Sequence, residues 1–142
     1  MTPKEFLRQY ENATKEAEKL RTEYETELNK IDNVRSALSG DGTPHATGKS
    51  NPTEAEAVRL AVKATAWREA ELHALEVRQY VFETVKSVPG IEGEILFTRY
   101  IQLKHWREVA AAVHMSDSGM FSAHDRALKK IDQILKYRSK SE

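Results

Sequence analysis

The chain contains no cysteine, which excludes disulfides and thiolate metal centres and fits a reducing compartment. No run of about 18 apolar residues occurs anywhere in it, so nothing in the sequence reads as a bilayer span. The opening Met1-Thr2-Pro3-Lys4-Glu5 also lacks the apolar stretch of a secretory signal. These absences predict a cytoplasmic chain with no membrane partner. An excess of one charge sign is missing too, since Lys plus Arg and Asp plus Glu number 22 each. That balance argues against a histone-like protein that coats nucleic acid.

What is present is the material for amphipathic helices. Hydrophobic residues make up 39% and charged residues 31% of 142 residues, enough for a core that appears as stripes on solvated helices. The length suits one domain or two small helical modules. Charge is unevenly spread. Residues 1–38 carry 7 basic and 8 acidic side chains, and residues 53–88 carry 5 and 6. Residues 97–140 carry nine basic residues against Glu108, Asp117, Asp125 and Asp132, an excess of five. A polyanion would meet that end first.

Two long helices are predicted ahead of it. Thr2-Pro3-Lys4-Glu5 is a capping-box start with proline at the first turn. From there Phe6, Tyr10, Ala13, Ala17, Leu20, Tyr24, Leu28, Ile31, Val34 and Leu38 recur at spacings of three and four. Residues 39–52 have loop composition. Asn51-Pro52-Thr53-Glu54 repeats the start signal, with Asn51 as the cap, and Leu60, Ala64, Trp67, Ala74, Val81 and Val85 mark one face of a second helix that Pro89-Gly90 ends. Each helix is about 35 residues, on the order of 50 Å. The expected fold class is all-α: a long antiparallel helical hairpin of coiled-coil type over 1–88, with a flexible loop at 39–52, then a separate domain over 89–142. Tyr10, Leu20, Tyr24, Leu28, Trp67 and Val81 form wide apolar seams, which predict self-association through the hairpin.

The last third reads as a helix-turn-helix. Val109 and Val113 face a core, Ala110 is small where helices cross, Met115 plugs a turn, and Ser116 is positioned to cap the following helix. Spacing sets Met120, Ala127 and Ile131 on the buried face of that helix and Arg126, Lys129 and Lys130 away from it. The candidate DNA-contacting residues are Lys104, Arg107, Ser118, Ser122, Arg126, Lys129 and Lys130. The segments "RYIQLKHWREVAAAVHMS" and "HDRALKKI" resemble region 4 of bacterial sigma factors. In overall layout the chain resembles a family of small phage and prophage proteins related to ArpU-type and RinA-type late-transcription regulators. That resemblance implies a phage-encoded transcription regulator with double-stranded DNA, and RNA polymerase, as partners. One departure stands out. Asp117, Ser118 and Gly119 open the recognition helix where strong base readers are usual, and Asp117 repels phosphate.

Other signals are weaker. "GTPHATGKS" ends like a phosphate-binding loop, but Gly42 and Gly48 enclose five residues where four are required. Glu69 and His73 lie one turn apart without a second ligand pair, and His124, Trp67 and Trp106 fall on apolar stripes. No catalytic constellation, metal site or cofactor site is read, so the chain is expected not to be an enzyme. Beside the DNA-binding regulator stand two alternatives: a module that docks on RNA polymerase or a regulator without reading bases, and a DNA-packaging subunit similar to small terminases.

Overall fold

The computed structural model describes residues 1–38 and 53–141, and the loop expected at 39–52 lies outside them. Every regular element among the described residues is helical: α1 (Pro3–Leu7), α2 (Gln9–Leu38), α3 (Glu54–Lys86), α4 (Gly90–Leu96), α5 (Trp106–Ala112) and α6 (Asp117–Ser141). None of these helices is long and apolar enough to cross a membrane.

The helix starts follow from side-chain chemistry. Thr2 Oγ1 accepts from Glu5 N at 3.1 Å while Thr2 N donates to Glu5 Oε2 at 3.0 Å, so two orphan donors are satisfied reciprocally. At α3 the same box is formed by Thr53 and Glu56, at 3.2 and 3.0 Å. The cap is therefore Thr53, two residues after the expected Asn51. Pro89 precedes α4, where Gly90 takes φ of +74°. An ideal Cβ on Gly93 would lie 2.0 Å from the Val88 carbonyl oxygen, so only glycine fits there. After Leu96 the helix widens into a π turn over Phe97–Ile101, closed by Gln102 N donating to Phe97 O at 3.0 Å. The wide turn lets the neighbours Tyr100 and Ile101 both enter the core.

The chain forms two compact units, Met1–Thr14 with His73–Glu142, and Lys15–Leu72. In the first, Phe6 and Leu7 of α1 are buried with Val81 and Val85 of α3, Leu96, Tyr100 and Ile101, and Ala127 and Ile131 of α6. Each such large side chain contributes about 1.5–3 kcal/mol through burial. The N-terminal turn is thus part of the same core as the C-terminal helix, and the expected division at residue 88 runs through that core. A second cluster holds Ile95, Val109, Ala110, Val113, Met120 and Ala123, with Trp106 and Met115 packed against it.

In the unit Lys15–Leu72, the Tyr24 ring stacks on Trp67 at 5.7 Å and Glu27 pairs with Arg59 at 3.5 Å. Trp67 Nε1 donates to Glu71 at 2.7 Å. Arg21 pairs with Glu25 at 3.1 Å, and that hydrogen bond and charge raise the guanidinium's pKa further. The residues expected to form the self-association seam are largely covered within the chain. Leu20, Tyr24, Leu28 and Trp67 are half-buried within their unit, Tyr10 is half-buried in the other, and Val81 is fully buried. Val34 of α2 and Val58, Val62 and Leu72 of α3 are exposed apolar side chains in this unit, at 57%, 58%, 63% and 56%.

Candidate nucleic-acid interface

The segment α5–turn–α6 is built from a short, tightly specified connection. His105 N donates to Glu108 Oε2 at 3.1 Å at the start of α5. At its end, Met115 N reaches back to Ala110 O at 3.1 Å, and His114 takes the left-handed conformation at φ +56°. Ser116 Oγ accepts from Gly119 N at 3.2 Å, giving one of the free N–H groups of α6 its partner. Met120, Ala123, His124, Ala127 and Ile131 of α6 are then buried, while Ser118, Phe121, Ser122, Asp125 and Lys129 remain exposed.

Aromatic packing holds the two helices together. Trp106 meets His124 edge-on at 4.7 Å, Phe121 at 5.1 Å and Tyr100 at 6.3 Å. Tyr100 and His124 share a buried hydrogen bond of 2.8 Å between Oη and Nε2. Burial pushes Tyr100 up to about 12 and His124 down to about 4, so both are neutral near pH 7. His124 is a packing residue with a satisfied polar edge. Arg99 lies over the Trp106 ring at 4.9 Å and donates to the Lys104 carbonyl at 2.8 Å, which fixes the approach to α5.

The candidate cations of α6 differ in their partners. Arg126 Nε sits 3.1 Å from Glu92 Oε1, and Lys130 Nζ pairs with Glu92 Oε2. The Glu92 side chain is only 14% exposed, and the Lys130 and then Arg126 hydrogen bonds hold its carboxyl below the usual range. Lys129 is exposed on α6, with no ion pair found for it among the described residues. Lys104, Arg107, Ser118 and Ser122 are exposed as well. Lys136 pairs with Asp132 at 2.9 Å, and Arg138 donates to Thr84 Oγ1 at 2.6 Å. Much of the basic excess of this region is therefore engaged inside the chain.

Two residues at this surface escaped the sequence reading. Glu92 lies ahead of the segment over which charge was counted, and Phe121, 42% exposed on α6, lies off the helix's buried stripe. Glu69 and His73 are both exposed, and no cluster of three His, Asp or Glu residues able to hold a metal occurs among the described residues. The glycine-containing segment 42–50 lies outside them. Comparison with protein-family models, with curated proteins and with solved structures gave no match to this chain.

Proposed function

We propose that this chain is a DNA-binding transcriptional regulator of phage type. In this reading α5, the turn and α6 form a sigma region 4-like helix-turn-helix, and α2 and α3 form an antiparallel hairpin through which copies associate. The observation that carries it is the Ser116-capped start of α6. It leaves Ser118, Ser122 and Lys129 exposed while Met120, Ala123 and His124 anchor the same turns in the core. The antiparallel reading is supported in each unit by contacts whose numbers rise on α2 and its preceding turn and fall on α3: Phe6 with Tyr80 and Tyr10 with Arg78 in one, Tyr24 with Trp67 and Glu27 with Arg59 in the other.

With few base readers on α6, phosphate neutralisation dominates binding, from Lys129, Lys104 and Arg107 first. The test is fluorescence anisotropy of the full chain on mixed-sequence duplexes across a salt series. The log–log slope should be about −0.9 per phosphate contacted, and Lys129→Ala should flatten it by about one unit. Absence of duplex binding by the wild type at low salt would sink the DNA reading.

A second reading, docking on RNA polymerase or another regulator, is favoured by one specific feature. Phe121 presents an exposed aromatic beside Trp106, with Asp117 and Asp125 exposed near it. Phe121→Ala would then abolish co-purification with polymerase while leaving the salt slope on duplexes unchanged.

A further inference from the structure

We infer that the outward face of α3, centred on Val62, Thr65 and Glu69, is the surface on which a second copy of this chain packs, antiparallel and across a twofold axis. The inference rests on the reading that the chain self-associates and adds the surface, the register and the pairing.

Within Lys15–Leu72, α2 covers one side of α3, where Trp67 stacks on Tyr24 and Arg59 meets Glu27. The opposite side carries Val58, Val62, Thr65, Glu69 and Leu72, at successive spacings of four, three, four and three. That is a heptad seam with apolar residues at most of its positions. Val58, Val62 and Leu72 are each more than half exposed. Ala61 and Ala66 line a shallow groove with Val58, Val62, Thr65 and Glu69, so a facing helix can approach closely. A single-sided helix would not carry a second stripe; α3 is apolar on both sides.

The occupant follows from self-complementarity. In an antiparallel pair the two kinds of seam position alternate across the axis, which sets Val62 against Leu72 of the other copy and Thr65 against its Glu69, each contact occurring twice. Glu69 would be an expensive residue at the centre of an apolar seam without a partner. This register supplies two: the Thr65 hydroxyl opposite it, and Arg68, displaced about 4.5 Å along the axis, or about three residues of rise. No ion pair of Arg68 or Glu69 is found among the described residues, whereas Arg21 and Arg59 in the same unit have carboxylate partners. A face that offers both the cation and the anion in this order is complementary to itself. The seam is short, so association in the micromolar range is expected.

The experiment is sedimentation velocity on the full chain up to high micromolar concentration, with circular dichroism on every variant. Wild type should form dimers, and Val62→Glu with Leu72→Glu should sediment as monomer with unchanged helicity. Arg68→Glu alone and Glu69→Arg alone should each weaken association, whereas an equimolar mixture of those two variants should associate again. Monomeric wild type would overturn self-association itself. A dimer that survives V62E/L72E would keep self-association and remove it from this face. A mixture that stays monomeric would overturn the antiparallel register.

Discussion

Glu92 on α4 accepts a hydrogen bond from Arg126 Nε on α6 at 3.1 Å, and its other oxygen meets Lys130 one turn further along. One carboxylate thus neutralises two cations that a phosphate backbone would otherwise attract. Glu92→Gln keeps the side-chain volume and removes the charge. It should raise duplex affinity at low salt by roughly three- to tenfold and steepen the log–log salt slope by about one to two units. The check is anisotropy beside wild type, with thermal unfolding as the control. Unchanged or weaker binding would mean that the pair serves to hold α6 in place.

The Tyr100–His124 pair predicts a pH dependence. His124 titrates near 6.5 when unfolded and at about 4 when folded, because burial disfavours the imidazolium. The unfolded chain therefore binds the proton first as pH falls. The stability associated with neutral His124 is fully present above pH 6.5 and is lost progressively toward pH 4, by about 3 kcal/mol at most. Asp125 favours the charged ring and reduces the loss, while Lys4 and Arg99 add to it. Urea midpoints at pH 7 and pH 4.5 should differ more for wild type than for His124→Gln. Equal differences would rule out His124 as the source.

Gly93 makes a steric prediction. A methyl group there meets the Val88 carbonyl at 2.0 Å, and backbone rather than a flexible side chain must give way. Gly93→Ala should cost about 1–3 kcal/mol and lower Tm by several degrees, despite alanine's better helix propensity. A variant as stable as wild type would show that α4 can shift at no cost.

Much of this architecture was legible because it is local. Thr2 and Glu5 announce a helix start within four residues, and the Ala110, Met115 and Ser116 order fixes the turn ahead of α6. Where two local signals competed, the reading slipped: Asn51 and Thr53 can both cap, and Thr53 is the residue bonded to Glu56. Spacing placed Phe6 on an apolar stripe but could not show that it shares a core with Ile131, more than a hundred residues away in the chain. The charge excess misled for a related reason. Counted over 89–140, nine basic residues face six acidic ones, because Glu92 and Glu94 enter the sum, and it is Glu92 that engages Arg126 and Lys130. The apolar seam misled because α3 is rich in alanine and valine on both faces, so periodicity could not say which stripe stays exposed. The stacking of Tyr24 on Trp67 decides it.

His114 carries the last prediction. It is exposed, lies in the turn between α5 and α6, and holds φ at +56°, a region where a Cβ crowds the following carbonyl. Its N–H donates to Ala111 O at 3.3 Å and its neighbour Met115 N to Ala110 O at 3.1 Å, so the backbone conformation is required by the turn whatever side chain occupies it. Glycine adopts that conformation without strain, but it also enlarges the conformational freedom of the unfolded chain, which offsets part of the gain. The relief of about 1–2 kcal/mol for a left-handed residue exceeds the entropic offset of about 0.4–1 kcal/mol. His114→Gly should therefore stabilise the chain by roughly 0.5–1 kcal/mol, the difference between those two effects. His114→Val, β-branched and poorly suited to positive φ, should destabilise it. Chemical denaturation at pH 7 of the three proteins should rank Gly above His above Val. A loss of stability in His114→Gly would show that the imidazole makes a contribution to the turn larger than the strain it imposes.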